Sequence, residues 1–377
     1  MRTKTIILIL LIIPTVLLAQ IDSIIPRLSF EGDFRFRVEQ DWNSKKSDGS
    51  FRENRTRLRY RLRAGVEYSD KWYSTGFRIR TGNPIKQQDP QLTLGDGSKE
   101  FGTLPIGLEK VYFQGEWSKF KFWVGKNTFP FEKSNELFWS DNVYPEGIAF
   151  EKSFESNSKL INNVNIKAGH FIISANGKSL ENDSYFQGYQ IYLKILKNRL
   201  ELFPSIYLFR NVPNIPDGYK TFDMDYSILH LGTRFNILKT PMLDIECDYY
   251  YNFENYNKND SISTNFKEQK SGITVGLKYG SLKQKGDWLF KTSYAYLQQY
   301  SVLDFMSQND WARWDYSSFG SPDGRLTNYS GIELVAGYTI DKNVSIKIKY
   351  YAVQQLIPYG TTTETGSRIR FDLDFKF

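Results

Sequence analysis

Apolar and polar residues alternate with a period of two along almost the whole of this chain. Leu28, Phe30, Gly32, Phe34, Phe36 and Val38 interleave with Ser29, Glu31, Asp33, Arg35, Arg37 and Glu39. Val111, Phe113, Gly115 and Trp117 alternate with Lys110, Tyr112, Gln114 and Glu116, and Leu243, Ile245, Cys247, Tyr249 and Tyr251 with Asp244, Glu246, Asp248 and Tyr250. Near the end, Val344, Ile346, Ile348 and Tyr350 alternate with Ser345, Lys347, Lys349 and Tyr351. Successive strand residues point to opposite faces, so each segment is a predicted strand with one apolar and one polar face. No segment carries a helical period, and neither an internal repeat nor a second domain interrupts the pattern.

The connections alternate as well. Short ones fall near residues 69–71, 118, 155–158, 197–198, 238–241, 280–286 and 341–343. Long ones fall near 40–54, 83–107, 128–146, 174–185, 210–224, 254–270, 300–328 and 356–365. Seven short turns join seven strand pairs, and one strand at each end completes sixteen, with both termini on the short-turn side. Two stretches keep fourteen and eighteen strands open. Around Ser227 the apolar phase slips from Met224, Tyr226 and Ile228 to Leu229, Leu231 and Phe235, as at a bulge. Residues 147–176 are weakly patterned.

Short turns on one side, long loops on the other and strands of about ten alternating residues are the signature of an all-β fold, a transmembrane antiparallel up-and-down β-barrel. The last segment strengthens this reading. Ile369, Phe371, Leu373, Phe375 and Phe377 alternate with Arg368, Arg370, Asp372, Asp374 and Lys376. An edge strand of a soluble sandwich with five large apolar groups on one face would invite aggregation. Closure in lipid removes the edge.

Composition fits this picture. Mean hydropathy is −0.48, yet Phe, Trp and Tyr make up 16 % of the chain, as strands favour. The chain begins with Arg2 and Lys4, an apolar run from Ile6 to Leu18 broken by Pro14, and Ala19-Gln20. That order describes a secretory signal peptide over 1–19, cleaved after Ala19, although Leu17 is large for its place. The run is shorter than the roughly 20 residues of a membrane helix. The barrel is then expected over 20–377, in the outer membrane of a double-membraned bacterium. Removal of Arg2 and Lys4 takes the net charge of +7 to +5, a mild excess that implies no nucleic-acid partner for an exported chain. Cys247 is alone, so no internal disulfide forms.

The segment RTRLRYRLRAG, 55–65, sets Arg55, Arg57, Arg59, Arg61 and Arg63 against Leu58, Tyr60, Leu62 and Ala64. An arginine at mid-bilayer on the lipid face costs about 2–4 kcal/mol, and a register slip of one residue would expose them all. They are therefore expected to face a wet lumen. The same phase argument turns Arg35, Arg37, Arg78, Arg80, Lys347, Lys349, Arg368 and Arg370 inward. Asp244, Glu246 and Asp248, on the eleventh strand, are expected on the opposite wall. The third long loop, about 128–146, carries Glu132, Glu136, Asp141 and Glu146.

The stretch FWVGKNTFPFEKSNELFWSDNVYPEGIAF, 122–150, resembles the putative porin family of Bacteroidota-type bacteria. Its elements are Gly125-Lys126, Pro130, Trp139-Ser140-Asp141-Asn142 and Pro145-Glu146-Gly147. The resemblance implies an outer-membrane pore without fixing a solute. Basic staves facing acidic residues further resemble the constriction of general porins, with the third loop folded inward. Porin-like barrels of this kind imply homotrimers, lipid and lipopolysaccharide as surroundings, and a barrel-assembly machinery that reads the terminal Phe375 and Phe377.

The expected function is a water-filled diffusion channel for small hydrophilic solutes and ions, with mild anion preference. The electrostatic alternative is that the charges merely satisfy one another across strands. The functional alternative is a non-conducting adhesin, scaffold or ligand-binding receptor, for which the 300–328 loop with Trp311, Trp314 and Phe319 is the natural candidate. A barrel lipase needs a Ser-His pair held by a third group, and His170 and His230 sit in no such motif. No catalytic residue, cofactor or metal cluster is assigned. Acidic loop stretches such as Asp304–Asp315 and Ser47-Asp48-Gly49 read as solvated loop rather than Ca²⁺ sites. Inward Tyr112, Tyr207, Tyr250 and Tyr351 read as wall rather than as sugar-stacking platforms.

Overall fold

A computed structural model describes residues 27–377 apart from 86, 87, 89, 96–100, 157, 159, 178, 179, 215–221 and 312–325. The signal-peptide reading, and Trp314, Asp315 and Phe319, lie outside the described residues. Among the described residues, seventeen strands form one antiparallel sheet: β1 Leu28–Lys45, β2 Arg55–Asp70, β3 Tyr73–Thr81, β4 Leu92–Thr93, β5 Ile106–Trp117, β6 Phe120–Lys126, β7 Glu146–Glu155, β8 Ile161–Ser174, β9 Ser184–Ile195, β10 Leu200–Pro213, β11 Asp223–Lys239, β12 Met242–Asn252, β13 Ser271–Gly280, β14 Trp288–Leu297, β15 Tyr329–Asp341, β16 Val344–Gln355 and β17 Thr365–Lys376. β4 is a two-residue patch beside Arg59 and Tyr60 of β2. The other sixteen are the staves of a closed barrel, sealed where β1 pairs with both β2 and β17. The last residue completes the seam, with Phe377 N donating to Gly32 O at 3.1 Å and Gly32 N to Phe377 O at 2.8 Å.

The alternation explains the two faces. Leu58, Leu62, Phe77, Val124, Ile206, Leu231, Val275, Leu334 and Ile369 lie exposed on the outside, where acyl chains solvate them. Stacked rings collect on that face beside the short turns: Trp72 lies 4.8 Å from Trp117, and Trp117 5.5 Å from Phe122. Aromatic rings at this level form the interfacial girdle of membrane barrels.

Two sequence expectations change here. β11 keeps a single phase across Ser227, with Met224, Tyr226, Ile228 and His230 all buried inward. The bulge lies instead on β10, between Phe209 and Val212, where Asn211 takes a left-handed φ of 54°. The apolar phase slips at Ser227 because the inner wall there is itself apolar. The weakly patterned 147–176 contains two ordinary staves, β7 and β8.

A candidate pore narrowed by two loops

The third long loop, 127–145, folds into the barrel. Gly125 starts the turn with φ 112°, and a Cβ there would stand 2.5 Å from Val111 O, so glycine is required. Phe129, Phe131, Leu137, Phe138, Trp139 and Val143 are then buried against inward rings of β8 to β12. Phe138 stacks 4.5 Å from Tyr207 and 5.6 Å from Tyr250; Trp139 lies 4.5 Å from Phe129 and 5.3 Å from Phe186. Gly188 leaves room for Phe131, whose ring stands 2.4 Å from where a Cβ would be. This aromatic wedge occupies one side of the lumen. Tyr207, Tyr250 and Tyr351 are fully buried, which removes them as sugar platforms. Tyr112 instead bonds Glu67.

The 139–142 motif ties the loop to the opposite wall. Trp139 Nε1 donates to Val143 O at 2.8 Å, Asn142 Oδ1 accepts from Arg63 Nη2 at 2.8 Å, and Asp141 pairs with Lys133. Glu132 pairs with Lys167 at 2.9 Å. Burial beside Asp141, opposed by Lys133 and Lys349, pushes the Glu136 carboxyl above the usual carboxylate range. Glu146 does not belong to this loop's inner surface. It is the first residue of β7, in phase with outward Ile148 and Phe150, exposed, and paired with Lys126. The strand begins one residue earlier than its loop assignment implied.

A second inward segment has no clear sequence signal. Residues 298–311 of the loop after β14 pack on the third loop, with Ser140 N donating to Met306 O at 2.7 Å, Ser307 Oγ to Leu137 O at 2.7 Å and Gln308 N to Glu136 O at 3.0 Å. Asp310 then reaches Arg370 and stands 3.9 Å from Arg37.

Between the wedge, this segment and the basic staves lies a cavity of about 720 Å³. Twelve basic side chains line it: Arg35, Arg37, Arg59, Arg61, Arg63, Lys133, Arg234, Lys278, Lys291, Lys347, Lys349 and Arg370. Seven acids join them: Glu132, Glu136, Asp141, Glu246, Asp248, Asp310 and Glu333. Arg57, Arg78, Arg80, Arg368 and Asp244 face inward but do not line this cavity. Arg57 pairs with Glu39, and Arg368 with Asp41 at 2.6 Å. Arg78 and Arg80 join Arg63 around one carboxylate, Glu109, at 2.8, 3.8 and 2.8 Å. Arg37 pairs with Asp372 at 2.6 Å and Lys347 with Asp374 at 2.8 Å, while Arg61 pairs with Asp33.

The acidic wall is neutralised in place. Glu246 sits between Arg234 at 3.3 Å and Lys291 at 3.5 Å, and Asp244 accepts from Asn236 at 2.7 Å. Asp248 accepts from Asn135 Nδ2 at 2.7 Å and lies 2.8 Å from His230 Nε2. Ser205 lies across from His230 in the ladder, but its hydroxyl donates to Phe203 O at 3.0 Å and accepts from Gln190 at 2.8 Å. All three residues are buried, with His230 stacked against Phe138 and Tyr250, so this Ser, His and Asp grouping is packing rather than a nucleophile with its base. The sequence places Asp33, Glu39, Asp372 and Asp374 in phase with the arginines without assigning them as partners, and the structure pairs them and adds Asp41.

Residues 49–223 match the putative porin family. The matched segment runs from the turn before β2 to the start of β11 and contains the inward third loop. None of the curated proteins compared matches the chain. Solved porin structures share its fold: Pseudomonas putida OprB in a high-pH form, at TM-score 0.56 and 11 % identity over 94 % of this chain and 96 % of that one; Salmonella typhi OmpF in complex with daunomycin, at 0.54 and 11 % over 93 % and 97 %; and the outer membrane channel DcaP of Acinetobacter baumannii, at 0.51 and 11 % over 93 % and 97 %. At such identities the likeness is one of fold. Family match and fold together point to a porin-type channel rather than an enzyme.

Proposed function

We propose that the chain is an outer-membrane porin: a water-filled diffusion channel for small hydrophilic solutes and ions with a mild preference for anions. The observation that carries this reading is the 720 Å³ cavity with twelve basic and seven acidic side chains on its surface. Rings of charged side chains select ions by sign, and the excess here is positive. Asp33, Asp372 and Asp374 reduce the field from behind the arginines, which keeps the preference mild. The third loop and the 298–311 segment narrow the passage, and their inward course supports a channel over an adhesin, whose loops would project. Lipid and lipopolysaccharide surround the barrel, the assembly machinery reads Phe375 and Phe377, and trimer formation is part of the same proposal.

Refolded protein in planar bilayers tests it. Stable single-channel conductance is expected, with a reversal potential displaced towards the anion under a salt gradient. Neutralising Arg59 and Arg61 to Gln should reduce that displacement. A silent barrel overturns the pore, and a conducting barrel with unchanged selectivity after neutralisation overturns the electrostatic role.

A further inference from the structure

The contact between Asp310 and Arg370 joins the 298–311 segment to the wall, as Glu132 and Lys167 join the third loop to β8. Arg37 and Arg370 already share a wall carboxylate: Asp372 of β17 is fully buried, 2.6 Å from Arg37 Nε and 3.1 Å from Arg370 Nη2. That acid fixes how the two guanidiniums stand. Lys349 is directly opposite Arg370 in the ladder between β16 and β17. Towards the cavity the corner is closed by Asp310, whose side chain remains 22 % exposed and lines the open space with Arg37, Lys349 and Arg370. It is held there by its own backbone, since Arg368 Nη1 donates to Asn309 O at 3.2 Å and Asp310 O at 2.6 Å.

The fit is incomplete. Arg370 is 1 % exposed, its Nη1 meets Asp310, and its Nε has no hydrogen-bond acceptor. A carboxylate free to turn could accept from a guanidinium in parallel, the stronger arrangement.

We propose that Arg37, Lys349 and Arg370 form a binding site for the carboxylate of an anionic solute, and that Asp310 occupies it as a tethered competing ligand. This deepens and rests on the anion-channel reading, by naming a carboxylate as the preferred group. A tethered ligand acts at an effective concentration in the millimolar range, so weakly held solutes exchange with it during passage. The open fraction of the site sets the apparent affinity.

The experiment uses the full barrel in detergent, with succinate as probe and inorganic phosphate as comparison. Asp310→Asn removes the competitor's charge. Saturation-transfer NMR should then give a half-saturating succinate concentration lower by about tenfold, with a smaller change for phosphate. In bilayers, succinate should reduce the chloride current of Asp310→Asn at correspondingly lower concentration. Asp310→Asn/Arg370→Gln should lose the gain. In the unaltered chain, Lys349→Gln should weaken succinate binding several-fold, a test that does not depend on altering Asp310. Equal succinate affinity before and after Asp310→Asn overturns the proposal, as does a gain that survives Arg370→Gln or is matched by phosphate. A barrel that binds succinate this way but does not conduct overturns the channel reading and leaves the site standing. A conducting barrel without the gain does the reverse.

Discussion

Replacing Glu109 with Gln should cost the barrel about 3–5 kcal/mol, the usual loss when one partner is stripped from a buried ion group. The carboxylate is 2 % exposed and is the shared partner of Arg63, Arg78 and Arg80. Arg63 and Arg80 are directly opposed between β2 and β3, and Gly65 faces Arg78 two pairs on. Without Glu109, three guanidiniums face one another on adjacent staves, with Glu31, 3.4 Å from Arg78, left as a partial counter-charge. At about 4 Å and an effective dielectric near 20, each pairing is worth about 4 kcal/mol gross. Desolvation of the carboxylate offsets much of that sum, and the Gln oxygen keeps some acceptor capacity, hence the smaller net figure. The loss is a large share of a typical stability of about 5–15 kcal/mol. Guanidinium unfolding of micelle-held barrel, followed by tryptophan fluorescence, measures it. Adding Arg80→Gln should recover about half by removing one of the stranded charges. A loss below about 1 kcal/mol, or no recovery in the double variant, would refute the reasoning and mean that lumen water solvates these arginines unaided.

Three further outcomes are expected. Leu231→Arg, on the lipid face, should destabilise by about 2–4 kcal/mol if that residue sits near the bilayer midplane, measured by the same unfolding assay. Phe138→Ala removes the ring stacked on Tyr207 and Tyr250 and should cost about 3–5 kcal/mol, with a rise in single-channel conductance as the third loop loosens. Anion selectivity should increase as pH falls from neutral into the mildly acidic range, because Glu136 has a raised pKa and loses its negative charge before ordinary carboxylates do. Reversal potentials of Glu136→Gln should lack that part of the pH dependence.

Much of the fold was legible because strand period and turn spacing are local. The seven short turns, the sixteen staves and the inward direction of Arg57 to Arg63 all follow from the period of two and the cost of charge in lipid. Glu109 shows where local pattern fails. Simple alternation places it outward with Val111 and Phe113, yet a register shift between Arg78 and Ile79 pairs them with Lys110 and Leu108 and leaves Glu109 as the extra residue. Both Glu109 and Lys110 are then buried inward, and one bulge creates the counter-charge for three arginines. The aromatic wedge was hidden for a different reason. Inward Tyr226, Ile228 and Phe186 look like lipid-facing residues when every apolar side chain is assigned to the membrane. Their partners are distant in sequence: Phe186 meets Phe129 and Trp139 of the 127–145 loop, and Tyr226 meets Tyr256 and Tyr300. The 298–311 segment contacts that loop largely through backbone groups, which no residue pattern reports.

The arginine ladder therefore divides into two parts with different physics. Arg57, Arg78, Arg80 and Arg368 stand away from the cavity, each against a nearly fully buried acid. A paired charge and its partner present a dipole, whose field falls off faster than that of a single charge, so these residues hold staves together and contribute little to selection. Arg35 and Arg61, and Arg37 and Arg59, are directly opposed like charges between β1 and β2, and all four line the cavity. Directly opposed like charges destabilise a sheet, so the arrangement persists because Asp33, Asp372 and Asp374 stand on the same face. What remains for a passing ion is the small surplus of positive charge at the cavity surface, spread over many residues. Neutralising Arg80 should thus alter stability with little effect on reversal potential, whereas neutralising Arg61 should shift the potential. If the two substitutions moved both quantities alike, the division between holding and selecting arginines would be wrong.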